Sequence, residues 1–135
     1  MSANDNTKTI QRVYEAFGRG DVATIVDSVT DDVDWASEAA DASLAPWYGV
    51  HHGRDGVGTF FEQFGSTMEV EDFTPLAFGA NDTDVFSVVR FTTRSRATGR
   101  AATMQLHHWF QFRDGKIAYY RGAEDTLLTL RTVSG

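Results

Sequence analysis

The stretch AATMQLHHWFQFRDGKIAYYRG, residues 101–122, decides the fold of this 135-residue chain. Up to Phe112, two sets of side chains alternate, one mostly apolar and one mostly polar, which is the period of a β-strand with one buried face. Asp114 and Gly115 then predict a tight turn, and a second strand follows. The stretch therefore predicts an antiparallel hairpin whose inner face belongs to the core.

The same alternation continues before this hairpin and is interrupted by turn residues at 79–82 and 97–99. We therefore predict four strands in the second half of the chain, at residues 68–78, 84–95, 101–113 and 116–124.

Apolar spacing in the first half of the chain is helical, with apolar residues at i, i+3, i+4 and i+7. Three helices are predicted in this way, at residues 10–17, 21–29 and 53–65. A short strand is predicted at 33–37, and the aperiodic segment 38–52 is interpreted as a long loop. Helices followed by strands, without alternating strand–helix units, predict an α+β fold. We expect one domain over residues 1–135, with three N-terminal helices packed on the concave face of a curved antiparallel sheet.

Charge and composition exclude several function classes. The chain has 12 basic and 19 acidic residues, a net charge of -7, so nucleic acid and anionic membranes are not expected partners. It contains no cysteine, which excludes disulfides and thiolate metal sites and suits the cytoplasm. We find neither a secretory signal nor a membrane span, and no motif for a metal or another cofactor. The pairs His51-His52 and His107-His108 cannot each chelate one ion, because neighbouring strand residues point to opposite faces.

His108 is the one ionisable residue in an otherwise apolar row of the third strand, between Leu106 and Phe110. Burial there favours the neutral imidazole and lowers its pKa. One interpretation is a histidine that is simply hydrogen-bonded in the core. The other is a functional group, if a second polar side chain converges on it.

Glu124 is the candidate partner, but the alternation in the fourth strand does not decide whether it faces a pocket or solvent. The outward faces of the second and third strands form either a solvated surface or a protein interface. This surface contains Arg90, Arg94, His107, Trp109 and Gln111.

The order of these elements, with the motifs YEAFGRGDVATI, DDVDW, YGVHHGRDGV and FQFRDGKIAYYRG, resembles the SnoaL-like and ketosteroid-isomerase-like branch of the nuclear transport factor two-like superfamily. The resemblance covers nearly the whole chain. It implies a cone-shaped, cystatin-like α+β barrel with an apolar pocket between helices and sheet. It also implies a homodimer formed through the outer sheet face.

Only some of the family's catalytic residues have a counterpart in this chain. His108 stands where ketosteroid isomerase has a hydrogen-donating aspartate. The family's tyrosine falls on Val13, one residue before Tyr14, and its carboxylate base falls on Ser37. The last-strand aspartate of the cyclases falls on Gly122.

These replacements do not support steroid isomerisation. The candidate catalytic residues are therefore His108 and Glu124, as an acid/base pair, and Asp34 as a further carboxylate. Asp34 is otherwise a solvated charge at the start of a strand.

Two functions are compatible with the sequence. The first is a SnoaL-like protein that binds a small apolar or polycyclic molecule and transforms it by isomerase, cyclase or hydrolase chemistry, without a cofactor. The second is a catalytically silent domain of the same fold that binds a ligand or dimerises. Under the first, the expected ligand-binding residues are Tyr14, Trp35, Trp47, Tyr48, Phe61, Phe91 and Tyr120, and the loop with Trp47 forms a lid.

Overall fold

The computed structural model describes residues 2–134, in which six strands and four α-helices form. In chain order these elements are α1 (Ala3–Gly18), α2 (Val22–Asp27), β1 (Val29–Ser37), β2 (Gly49–His52), α3 (Gly53–Thr67), β3 (Met68–Ala80), β4 (Asp84–Ser95), β5 (Ala101–Arg113), β6 (Lys116–Ala123) and α4 (Thr126–Val133).

The strands form one curved sheet in the order β2-β1-β6-β5-β4-β3. Helices pack on one side of this sheet, so the α+β prediction is confirmed. Every neighbouring pair is antiparallel except β1 and β6, which run parallel. The chain between β1 and β6 runs through β2, α3 and β3 to β5, and a connection of this length is what a parallel pair requires.

Helix α1 begins where the sequence supplies a cap. The Ser2 hydroxyl accepts a hydrogen bond from the Asp5 amide at 3.1 Å, and the Asp5 carboxylate accepts one from the Ser2 amide. The stripe that includes Ile10 and Val13 is fully buried against the sheet. Burial of this stripe fixes which side chains of α1 meet the concave face.

The β5–β6 hairpin contains a bulge that the alternation of the sequence does not reveal. Phe110 lies opposite Tyr120, but Phe112 lies opposite Ile117, so β6 has one extra residue between the two pairs. Ile117 and Tyr120 therefore both face the core, although they are three residues apart. This extra residue explains why the alternation could not orient β6.

The structure differs from the prediction in the segment 38–52. Residues 49–52 form β2, which pairs with β1, and Ala42–Leu44 form a short 3-10 turn. A four-residue strand is too short to show a period, so it resembled a loop. Helix α2 ends at Asp27, and Val29 begins β1 instead of ending the helix.

Helix α4 was not predicted, so the number of helices was underestimated. Asp125 caps it by accepting a hydrogen bond from the Leu128 amide. The hydroxyl of Thr98 donates to the carbonyl oxygen of Thr132 at 2.7 Å, which holds α4 to the turn between β4 and β5. Within residues 2–134, each helix is too short or too polar to cross a membrane.

Candidate functional site

A cavity lies between the concave face of the sheet and helices α1 and α3. It measures about 70 Å³, which is room for roughly five water molecules or one small ring, since one water needs on the order of 10–15 Å³ of such space. Its walls are mostly aromatic, and its few polar groups come from α1, from strands and from the residue that follows β6. The polar residues on the wall are Tyr14, Ser37, His108, Tyr120 and Glu124.

Six of the seven residues expected to bind a ligand lie on this wall. They are Tyr14, Trp35, Trp47, Phe61, Phe91 and Tyr120. The seventh, Tyr48, is buried behind the wall, where its hydroxyl donates a hydrogen bond to Glu124 at 2.7 Å. Tyr48 therefore supports the cavity through Glu124 rather than by forming its surface.

His108 lies at the polar end of the cavity and is hydrogen-bonded to α1. Its Nδ1 lies 2.6 Å from the Tyr14 hydroxyl oxygen, and that oxygen lies 2.5 Å from Oγ of Ser87. Tyr14 was expected to bind the ligand, and both Val13 and Tyr14 line the cavity. The buried stripe of a core-facing helix is wide enough to include two consecutive residues.

The surroundings of His108 keep it neutral. Burial among aromatic side chains lowers its pKa to about 3, and the neighbouring His107 contributes to the same shift. Burial also raises the pKa of Tyr14 above its ordinary value. At neutral pH this end of the cavity therefore carries hydrogen-bonding groups without a net charge.

Glu124 lies at a second polar position on the wall. Its Oε2 accepts hydrogen bonds from Tyr48 and from Thr129 of α4, at 2.7 and 2.5 Å. Burial raises the pKa of this carboxyl group, and the two hydrogen bonds oppose the rise. Glu124 thus links the segment with Trp47 to the C-terminal helix.

His108 and Glu124, the candidate acid/base pair, are not hydrogen-bonded to each other in the part of the chain that the structure describes. Among residues 2–134, the hydrogen-bond partner of His108 is Tyr14, while Glu124 is bonded to Tyr48 and Thr129. Both residues face the same cavity, but each is held by its own neighbours. The two groups can act on one ligand only from separate positions.

Asp34 does not belong to the cavity, which corrects its place among the catalytic candidates. Its Oδ1 lies 2.8 Å from Nη2 of Arg121, in an ion pair that lacks hydrogen-bond alignment. Arg121 also contacts Glu38 at 3.3 Å and lies over the ring of Tyr119. Since Trp35 faces the cavity, its neighbour Asp34 points to the opposite side of β1.

The side chain of Tyr120 occupies the space beside Gly122, the position at which the family resemblance implies an aspartate. A Cβ on Gly122 would lie 2.1 Å from the Tyr120 hydroxyl oxygen and 3.4 Å from Cδ2 of His108. Burial raises the pKa of the Tyr120 phenol, so the group remains protonated. A neutral phenol therefore lies beside His108, with the two ring centroids 5.4 Å apart.

Ser87 is the residue of this site that the sequence analysis missed. It lies on the inner face of β4 and is 4% exposed. Its position between the buried residues Val85 and Val89 was a usable signal, because a serine in an apolar row needs a hydrogen-bond partner. The structure supplies Tyr14 as that partner.

No group of three or more histidine, aspartate or glutamate side chains in residues 2–134 is arranged to bind a metal ion.

Sequence and structure comparisons place this arrangement among known proteins. Residues 10–120 match the family described as the SnoaL-like domain. A search of curated proteins finds no similar sequence.

Several solved structures share the fold. An NTF2-like protein of unknown function from Burkholderia pseudomallei is 23% identical, with a TM-score of 0.89 over 97% of this chain and 98% of the other. TerC, crystallised with polyporic acid, is 20% identical, with a TM-score of 0.84 over 97% and 99%. A candidate polyketide cyclase from Xanthomonas campestris is 19% identical, with a TM-score of 0.77 over 98% of both chains.

Proposed function

Since the chain belongs to the SnoaL-like domain family, we propose that it binds a small, largely apolar molecule in the cavity and acts on it by cyclase- or isomerase-type acid–base chemistry. The observation that carries this proposal is the aromatic cavity with hydrogen-bonded His108 and Glu124 on its wall. The polyporic acid in TerC and the candidate cyclase from Xanthomonas campestris support a ligand of this class.

The two polar positions have different roles. Glu124 transfers the proton, because its raised pKa moves the carboxyl group toward the range in which general acids and bases work at neutral pH. His108, with a pKa of about 3, is a poor base at pH 7 and acts as a neutral hydrogen-bonding group.

The size of the cavity limits the ligand. A volume of about 70 Å³ takes one small ring, so a polycyclic molecule binds only if part of the wall moves. Trp47 is the wall residue best placed to move, because it lies in the irregular segment between β1 and β2. We propose that the segment 38–48 is the lid of the cavity.

A catalytically silent binding domain is the second candidate function. It is favoured by the absence of a carboxylate at Gly122 and Ser37, both of which line the cavity. The phenol of Tyr120 occupies the space of the first of these missing groups.

Proton exchange distinguishes the two functions. Cyclopentanone is incubated with the protein in D2O, and the loss of its α-proton signal is followed by NMR. In the proposed reaction the Glu124 carboxylate removes the α-proton, and after exchange with solvent the carboxyl group returns a deuteron to the same carbon of the enolate. Catalysed exchange that Glu124→Gln abolishes and Glu62→Gln, at an exposed position of α3 away from the cavity wall, leaves unchanged supports the enzyme. Binding without exchange supports the silent domain.

We further propose that the protein forms a homodimer through the outer sheet face. Phe86 and Trp109 are 48% and 38% exposed and stack with ring centroids 6.2 Å apart, and Tyr119 packs against Trp109. An exposed aromatic cluster of this kind marks a protein interface. Light scattering should give about 30 kDa for the native protein and 15 kDa for Trp109→Glu, while Val50→Glu, on the exposed β2, should remain a dimer. A native mass of 15 kDa contradicts the dimer.

A further inference from the structure

A surface groove adjoins the cavity on the side of the helices. It lies between the ends of α1 and α3, helix α2 and the start of β3, and it measures about 570 Å³. The side chains that line both the groove and the cavity are Phe17, Ile25, Phe61 and Phe64. Because the same side chains face both spaces, a single layer of side chains separates the groove from the cavity.

Phe17 and Phe61 are the members of this layer that can move most readily. Their ring centroids are 5.9 Å apart, so the layer is closed. Both rings are only partly buried, whereas Ile25 is fully buried. Phe17 also lies in the last turn of α1, where the helix has the fewest backbone hydrogen bonds. Rotation of either ring would connect the cavity with the groove.

The groove exists because two of the positions that line it have no side chain. Gly20 follows α1 and Gly65 lies in α3, and a Cβ at either position would meet no atom within 4 Å. Arg96 fixes the wall formed by α3. Its Nε donates a hydrogen bond to the carbonyl oxygen of Gly65 at 2.8 Å, and its Nη1 donates one to Glu69 at 3.0 Å. The groove is therefore held open by the packing of the fold.

The groove is apolar, and the charges on its rim are paired. Glu69 is paired with Arg96 at 3.0 Å, and Glu71 is paired with Arg94 at 3.1 Å. In the described part of the chain, these pairs include each charged residue that lines the groove. A charged ligand group would find no free counter-charge here, whereas a hydrocarbon chain would be removed from water.

The volumes of the two spaces also favour a ligand that occupies both. Sites for small organic ligands usually measure roughly 300–1,000 Å³. The cavity, at about 70 Å³, is far below this range, and the groove, at about 570 Å³, lies within it.

We propose that the groove is a second part of the ligand site, and that it takes the uncharged alkyl chain of a ligand whose ring lies in the cavity. Phe17 and Phe61 form the gate between the two parts. This inference rests on the proposed function, because it names a further group on the ligand of the same cavity. Within residues 2–134, the segment 38–48 contributes no side chain to the groove, so the gate is separate from the proposed lid.

The affinities of two ketones test the groove. Cyclopentanone fills only the cavity, and 2-pentylcyclopentanone adds an uncharged chain of five carbons. Each buried CH2 group strengthens binding about fourfold, and ordering the chain offsets part of this gain. We therefore expect 2-pentylcyclopentanone to bind the native protein at least about thirtyfold more tightly than cyclopentanone.

Two glycine variants of α3 provide the matched comparison. In Gly65→Leu the new side chain fills the groove, so most of the gain from the pentyl chain should be lost while cyclopentanone binds as before. Gly58 also lies in α3 with no atom within 4 Å of its Cβ, but it lines neither space. Gly58→Leu should therefore bind both ketones like the native protein.

Intermolecular nuclear Overhauser effects locate the pentyl chain. Its terminal methyl protons should contact the side chains of Met68 and Val70, which line the groove. Contacts with the segment 38–48 instead would place the chain at the proposed lid and overturn the inference.

The remaining outcomes separate this inference from the proposed function. If the pentyl chain adds no affinity, or if Gly65→Leu leaves its contribution unchanged, the groove is not part of the site, although the cavity still binds the ring. If light scattering gives a smaller mass for Gly65→Leu than for the native protein, a second copy of the chain covers the groove, which also overturns the inference. If neither ketone binds, the proposed function fails together with the inference.

Discussion

Replacing Gly122 with alanine tests the placement of Tyr120 at the centre of the site. The new methyl carbon would lie 2.1 Å from the hydroxyl oxygen of Tyr120 and 2.9 Å from its Cζ. Neither distance is possible for non-bonded atoms, so the phenol must move. Its ring packs on Trp35 and Phe110, with centroids 4.2 and 4.9 Å away, and the movement disturbs both contacts.

The loss of stability in Gly122→Ala can be calculated from the kind of substitution. Overpacking a buried position typically destabilises a protein by about 1–3 kcal/mol. The entropy of unfolding is about 2.1 cal/mol/K per residue, which for 135 residues gives about 0.28 kcal/mol/K. The melting temperature of Gly122→Ala should therefore fall by about 4–11 °C.

Thermal unfolding followed by circular dichroism measures this change, and the chain offers a matched control. Gly79 also lies in a strand, but a Cβ there would meet no atom within 4 Å. Gly79→Ala should be neutral or stabilising by up to about 1 kcal/mol, because alanine restricts the unfolded chain. Adding Tyr120→Phe to Gly122→Ala removes the shortest contact and should restore part of the loss. A Gly122→Ala protein as stable as Gly79→Ala would show that the phenol does not lie over Gly122.

Three further predictions concern ionisation and the lid. The pKa of Glu124 is raised in the folded protein, so the protonated carboxyl group stabilises the fold fully below the pKa of the unfolded chain, and this stabilisation is lost as the pH rises through the folded-state pKa. The melting temperature of Glu124→Gln should therefore be higher than that of the native protein at pH 7 and equal to it at pH 4. Folding lowers the pKa of His108 from 6.5 to about 3, so the native protein loses stability as the pH falls between these values. In urea titrations, the free energy of unfolding of His108→Gln should depend less on pH in this range. An equal pH dependence in the two proteins would contradict the burial of a neutral imidazole. Tyr48→Phe removes one hydrogen bond to Glu124 and should increase amide hydrogen exchange in the segment 38–48, whereas Tyr119→Phe should not.

The sequence predicted the inner face of β5 because strict alternation allows only two orientations of a strand. Leu106 and Phe110 are buried and His108 shares their face, whereas Trp109 points outward. The same reasoning failed for β6, where a single extra residue places Ile117 and Tyr120 on one face. A bulge leaves the composition of a strand unchanged, so alternation alone does not reveal it.

The polar contacts of the site depend on distances between elements, which no local pattern contains. Tyr14 comes from α1, Ser87 from β4 and His108 from β5, and only the packed sheet brings them together. The sequence could identify His108 and Glu124 as polar residues in apolar surroundings. It could not show that each is hydrogen-bonded to a different tyrosine.

The central claim is that the cavity between sheet and helices binds a small molecule, and intermolecular nuclear Overhauser effects with bound cyclopentanone test it most directly. The account predicts contacts between the ring protons of cyclopentanone and the side chains of Leu106, Phe110 and Trp35, all of which line the cavity. Contacts confined to exposed residues such as Phe86 or Val50, or no contacts at millimolar cyclopentanone, would contradict it.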